Sequence, residues 1–142
     1  LHKAIYNKRE DIGAIIHSDK EAITAASKIG KTMRPFLDDF AQIVGVTVKT
    51  AEFDPNDTMK SSKKAAKKIS GKFRNAMFLK DNGAVCCGPN TEEAQATEMV
   101  MEKNCKTALA GEVFGGAKNL GAVDCFIMNV VYRLKYSKQA GK

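Results

Sequence analysis

Two short apolar runs, Ala76-Met77-Phe78-Leu79 and Ala84-Val85-Cys86-Cys87, flank the tetrapeptide Lys80-Asp81-Asn82-Gly83. Asn-Gly between two such runs is a strong hairpin signal. A hairpin cannot be parallel, so any sheet that contains it is mixed or antiparallel and not a purely parallel, doubly wound one. Elsewhere the hydropathy pattern alternates between extended and helical spacing in the order β-α-β-α-β-β-α-α. That order predicts helices packed on a mixed or antiparallel sheet.

The elements follow from local spacing. Leu1, Ala4 and Ile5 fit a helical stripe with no cap before it, and the chain starts at Leu1 rather than Met, as expected of a piece of a longer polypeptide. Residues 7–11 read as a polar turn. Ala14-Ile15-Ile16-His17 reads as a buried strand, and Ser18 with Glu21 carries the Ser-x-x-Glu signature of a helix start. Ile23, Ala26 and Ile29 give that helix one apolar face, with Gly30 as its stop. Pro35 keeps residues 31–39 irregular. Val44, Val46, Thr47, Val48 and Thr50 predict a strand over roughly residues 44–51.

Asp54-Pro55-Asn56-Asp57 reads as a turn followed by a helix cap. The next helix places Met59, Ser62, Ala66 and Ile69 on one face and Lys60, Lys63, Lys64, Lys67 and Lys68 on the other, ending at Gly71. Asn90 and Glu93 cap a long helix with Ala94, Met101, Cys105 and Ala108 at core spacing. Gly111, Gly115, Gly116 and Gly121 mark a loose connection. Val123, Ile127, Val130, Val131 and Leu134 then fit a last helix, preferred over a strand across residues 123–134, before a polar, frayed tail.

Composition bounds the function classes. The chain has 142 residues, enough for one domain with a real core. No apolar run approaches the ~20 residues of a membrane span, and no secretory h-region is present. Cys86, Cys87, Cys105 and Cys125 lack C-x-x-C spacing, which predicts reduced thiols in a cytoplasmic protein. The net charge of +7 is largely local to the lysine-rich helix. A stripe of that kind is usually a solvated face, and no aromatic residues interleave it, so nucleic acid is disfavoured as a partner.

His17 is the residue most suggestive of chemistry. It sits where a strand delivers its last side chain to the sheet edge. Residues two apart in extended chain face the same side, so Asp19 converges with it if the strand persists that far. The ordinary alternatives are a hydrogen-bonded rim histidine and an aspartate placed by the helix dipole.

The order of these pieces resembles the class II aldolase and adducin domain family, over residues 1–116. Leu1-His2-Lys3-Ala4-Ile5-Tyr6 is similar to the helix after that family's catalytic glutamate. Asp11-Ile12-Gly13-Ala14-Ile15-Ile16-His17 resembles the strand leading to its His-x-His-Pro metal motif, and Asp39-Phe40-Ala41-Gln42 the segment before its next strand. Phe78-Leu79-Lys80-Asp81-Asn82-Gly83-Ala84-Val85 resembles its Leu-x-Asn-His-Gly strand turn, and Asn90-Thr91-Glu92-Glu93-Ala94 the start of its long helix. The resemblance implies a three-layer α/β/α fold around a mainly antiparallel sheet, here lacking its N-terminal part. It makes residues 1–142 a single, truncated domain. It further implies a homo-oligomer, usually a tetramer with sites at subunit interfaces, and a small sugar-phosphate ligand.

In active members of the family three histidines hold a zinc ion that polarises the substrate carbonyl, and a glutamate handles protons. The ligand positions fall here on His17, Asp19 and Asn82, of which only His17 is still histidine. Lys20 replaces the motif's proline, and Asp81 takes the family's asparagine position. The catalytic glutamate, within an expected Ser-Ser-Glu, and the Gly-Asn phosphate loop are expected before Leu1, leaving no catalytic residue in this chain. One imidazole, one carboxylate and one amide make a much poorer zinc site than three imidazoles. The cofactor is therefore left open between zinc, another divalent cation and none, and so is the question of whether the chain is an enzyme. Three functions follow. The first is a degenerate metal site serving binding or assembly. The second is a metal-dependent sugar-phosphate aldolase or epimerase with altered ligands. The third is binding of an acidic partner or nucleic acid through the face from Lys60 to Lys68.

Overall fold

The computed structural model describes residues 1–56 and 58–140, with side chains described through residue 135 except at position 57. Four strands form one sheet in the order β1-β4-β3-β2: β1 Ala14–Ser18, β2 Thr50–Ala51, β3 Ala76–Leu79 and β4 Ala84–Gly88. The expected hairpin is β3–β4, antiparallel with Ala76 opposite Cys86 and Phe78 opposite Ala84. β1 pairs antiparallel with β4, Ala14 opposite Gly88 and Ser18 opposite Ala84. β2 runs parallel to β3. The sheet is thus mixed and mainly antiparallel, as the hairpin requires.

Strand alternation divides the core into two layers. Ala76, Phe78, Ala84 and Cys86 face one side, against Ile23 and Ala26 of α2 (Glu21–Ile29) and Val100, Met101 and Cys105 of α4 (Thr91–Val113). Met77, Leu79, Val85 and Cys87 face the other, against Ile5 of α1 (His2–Tyr6) and Ala65 and Ala66 of α3 (Thr58–Lys68), with Ile69 just beyond. Every hairpin side chain is buried whichever way it points. Each large one, such as Met77, Phe78 or Leu79, contributes about 1.5–3 kcal/mol on burial. Helices on both faces of the sheet give the expected three-layer α/β/α arrangement. Cys86 and Cys87 point to opposite faces, and all four cysteines are buried and unpaired. Burial pushes the Cys87 and Cys105 thiols up to about 12, so they stay neutral.

α4 begins as predicted, with Asn90 Oδ1 accepting the Glu93 amide at 2.9 Å. α2 does not. Ser18 remains in β1 opposite Ala84, so it is spent on the sheet; the N-cap is Lys20, with no side-chain cap bond. Gly30 ends α2 in the left-handed conformation, as expected.

The strand predicted over residues 44–51 shrinks to Thr50–Ala51, with single bridges from Val48 to Met33 and from Gly45 to Arg74. Phe40–Val44 instead forms a π-helical turn, with Phe40, Ala41 and Val44 buried at helical spacing. Such a wide turn leaves carbonyls that need partners. Distant asparagines supply them: Asn129 Nδ2 donates to the carbonyls of Ala41 and Gln42, both at 3.0 Å, and Asn75 Nδ2 donates to Ile43 at 2.9 Å.

Other local expectations shift by one face. In α3, Ser61, Ser62, Ala65 and Ala66 are buried, while Met59 is 73% exposed: the small residues, not the large one, let the helix approach the sheet. The helix cap read at Asp57 lies outside the described residues. Ala108 is half-buried, and α4 runs through Gly111 to Val113. The loose connection is confined to residues 114–121. The last helix, α5 (Ala122–Ala140), is present, but its apolar stripe is not in the core. Val123, Ile127, Val131 and Leu134 are exposed, Val130 is half-buried, and Cys125 and Asn129 are the buried positions. The register follows Asn129, whose amide is needed by the π-helical turn. The tail beyond residue 135 lies outside the described side chains. Among the described residues, no helix is long and apolar enough to cross a membrane.

The polar turn at residues 7–11 is present, but Arg9 within it is only 3% exposed. Its guanidinium forks onto Asp11, Nε to Oδ1 and Nη2 to Oδ2, both at 2.6 Å. Nη1 also faces the carbonyls of Ile69, Gly71 and Arg74 at 3.0, 2.8 and 2.8 Å. One side chain thus ties the loop before β1 to the loop between α3 and β3.

Candidate functional site

The three positions singled out lie at one end of β1 and in the adjoining β3–β4 turn. His17 is the penultimate residue of β1, opposite Val85, and its side chain is exposed on the α1–α3 side of the sheet. The turn comes to it because of Gly83. A Cβ built on Gly83 would stand 2.1 Å from the Ser18 carbonyl oxygen, so only glycine permits this approach. Gly83 has φ of 74° and Asp81 φ of 64°, the two left-handed positions of the turn. The Gly83 amide donates to Ser27 Oγ at 3.2 Å, fastening the turn to α2.

The result is a close contact between His17 and Asn82. His17 Nε2 stands 2.7 Å from the Asn82 main-chain oxygen. A carbonyl only accepts, so the bond places the imidazole proton on Nε2 and leaves the lone pair on Nδ1. The side chain of Asn82 turns back on its own loop, Nδ2 donating to the Lys80 carbonyl at 3.1 Å. Asp19 is exposed just past the end of β1, where its carbonyl accepts the Thr24 hydroxyl at 3.0 Å. Lys20 leans away, with Nζ 3.7 Å from Glu98 Oε2. The fold therefore brings His17 to Asn82 through the main chain, and leaves Asp19 beside them in sequence but outside that contact.

His2 on α1 belongs to the same neighbourhood, and sequence spacing did not single it out. Partial burial first, with the charge of His17 adding to it, holds its imidazole below the usual histidine range. The signal available was only that α1 precedes β1 and packs on the same face.

This donor set does not fit a zinc ion. His17 offers one nitrogen donor, Nδ1, since its Nε2 is bonded to the Asn82 carbonyl; the Asn82 amide faces Lys80, and the remaining position is a carboxylate outside that contact. Among the described residues, no group of three or more His, Cys, Asp and Glu side chains could hold a metal. Four cavities of the structure, about 270 to 720 Å³, are lined by none of His17, Asp19 and Asn82. These three sit on an open rim.

The sheet order, the hairpin and the long capped helix define a class of protein, and comparison with known families agrees: residues 1–109 match the class II aldolase and adducin N-terminal domain, and the chain belongs to that family. Among individual relatives, the L-fuculose phosphate aldolase of Methanocaldococcus jannaschii is 29% identical over 109 residues, covering 77% of this chain and 58% of that protein. A second L-fuculose phosphate aldolase, from Methanococcus maripaludis, is 25% identical over 103 residues, covering 72% of this chain and 54% of that protein. A solved L-fuculose 1-phosphate aldolase superposes with a TM-score of 0.83 at 26% identity, over 93% of this chain and 61% of that one. The chain thus spans little more than half the length of the curated relatives it matches.

Proposed function

We propose that this chain is a class II aldolase-fold domain whose metal centre is degenerate, and that it serves binding or assembly rather than catalysis. The observation that carries the reading is that the Asn82 side chain, at one of the three ligand positions, turns back on its own loop and donates to the Lys80 carbonyl at 3.1 Å. Of the three ligand positions the resemblance assigns, His17 alone keeps an imidazole. Asp19 and Asn82 offer oxygen donors, which suit a hard cation better than zinc. The open rim at this end of β1 favours a site completed by a second copy, so the domain works as a homo-oligomer, a tetramer by resemblance. Its ligand class is a small sugar phosphate, after the substrates that the relatives' names give. Four buried, unpaired thiols support a reducing, cytoplasmic setting.

A second reading is a metal-dependent sugar-phosphate aldolase or epimerase that uses His17 and Asp19 with a glutamate upstream of Leu1. The identity to proteins named as L-fuculose phosphate aldolases favours it. Elemental analysis of the protein purified without chelators, with a retro-aldol assay on ketose 1-phosphates, separates the two. The proposal expects no stoichiometric zinc and no turnover. About one zinc per chain, with turnover abolished by His17→Ala, overturns it.

A further inference from the structure

The lysine-rich helix α3 is not a uniform basic face; the fold splits it. Lys60 and Lys64 share a pocket with Glu52 and Asp54, so acidic side chains border them. Lys63 and Lys67 lie on the other flank, in a cleft between α3 and α1. There they meet Lys3 and Lys8, so that four lysines line one cavity of about 720 Å³. Among the described residues no acidic side chain lines this cleft, and none of the four lysines forms an ion pair. Thr58, Asn7 and the buried Ser62 add polar side chains, and Leu1, Ala4 and Met59 make up the rest of the lining.

Four lysines around one cavity carry like charges that repel one another, and counter-charge relieves that repulsion. Screening salt does this weakly, whereas a compact multivalent anion does it at several points at once. Lysine is a compact, hydrated point charge suited to phosphate oxygens, and hydroxyl and amide donors suit the remaining acceptors. A cavity of this volume takes a small molecule rather than a nucleic-acid strand. A strand would track the whole helix, Lys60 and Lys64 included, and would ask for stacking aromatics that α3 lacks.

We infer that the α1–α3 cleft is a binding site for a small anion carrying two or more phosphate groups, held by Lys3, Lys8, Lys63 and Lys67. This site lies apart from His17, Asp19 and Asn82, none of which lines it.

The test is calorimetric titration of the 142-residue chain with inorganic tripolyphosphate, beside two double variants, Lys63→Gln with Lys67→Gln and Lys60→Gln with Lys64→Gln. All four positions are exposed, so both variants fold, as circular dichroism checks. The cleft predicts one tripolyphosphate per chain. It predicts a loss of about tenfold or more for the Lys63/Lys67 variant and less than about threefold for the Lys60/Lys64 variant, since a hydrogen bond to a charged group is worth roughly a factor of ten. Equal losses in the two variants, absence of binding by the parent chain, or displacement of tripolyphosphate by a dT12 oligonucleotide at lower concentration each overturns the inference. The last of these would mark α3 as a nucleic-acid face instead.

Discussion

Replacing Arg9 by methionine keeps most of the aliphatic stem and removes the guanidinium. The change strips partners from the carbonyls of Ile69, Gly71 and Arg74 and from the carboxylate of Asp11. Breaking a buried charged pair by removing one partner costs about 3–5 kcal/mol. Asp11 is 47% exposed and rehydrates readily, which argues for the lower end. The carbonyl side gives a similar figure: three bonds to a charged donor, each at the low end of their range of about 1.5 kcal/mol, come to roughly 4–5 kcal/mol before water repairs the outer two. The expected cost is therefore about 3 kcal/mol, a large share of the roughly 5–15 kcal/mol that holds an ordinary domain folded. Urea unfolding followed by far-ultraviolet circular dichroism reads it directly. With a slope of about 1–3 kcal/mol per molar, the midpoint falls by about 1–3 M. Arg9→Lys retains the charge and loses the fork, so its midpoint lies between the two. A methionine variant within about 1 kcal/mol of the parent refutes the idea that this side chain ties the two loops together.

Two further outcomes follow from the same structure. Hydrogen bonding to Arg9, ahead of its charge, holds the Asp11 carboxyl below its ordinary 3.8. The folded value lies beneath the unfolded one, so this stabilisation is full above pH 3.8 and is lost as pH falls through the lower folded value. Unfolding free energy measured from neutral pH down through that window should decline less steeply in Asp11→Asn than in the parent; parallel curves reject the linkage. On α5, Asn129→Ala leaves the carbonyls of Ala41 and Gln42 bare and should cost about 2 kcal/mol. Ile127→Gln, on the exposed face, should stay within about 0.5 kcal/mol in the same urea unfolding assay. The reverse ranking would mean that α5 docks through its other face.

Strands and helices whose partners lie nearby were legible in the sequence. The hairpin announces itself because Asn82-Gly83 and the apolar runs beside it carry all the information in twelve residues. α2 and α4 were legible through Gly30 and Asn90, whose roles are local. What escaped was set by distant groups. Phe40–Val44 has strand-like neighbours, yet its carbonyls are met by Asn75 and Asn129, so a turn became affordable that no local rule predicts. α5 has a clean apolar stripe at helical spacing, but one buried asparagine chose the opposite register. Arg9 reads as part of a polar turn, because nothing in residues 7–11 reveals three carbonyls some sixty residues away. At the candidate site, the position of His17 at the strand end was legible, whereas its bond to a main-chain oxygen depends on how closely Gly83 lets the turn approach.

The strand order has a consequence for synthesis. Among the described residues β1 pairs with β4 alone, Ala14 opposite Gly88. A ribosome adding about 5–20 residues per second makes β1 several seconds before its partner exists. The β3–β4 hairpin, closed across four residues, forms in microseconds once it emerges. Of the four described strands, the first made therefore joins the last made. Until then Ala14-Ile15-Ile16 lacks its β4 partner, and an unpaired apolar strand invites mispairing.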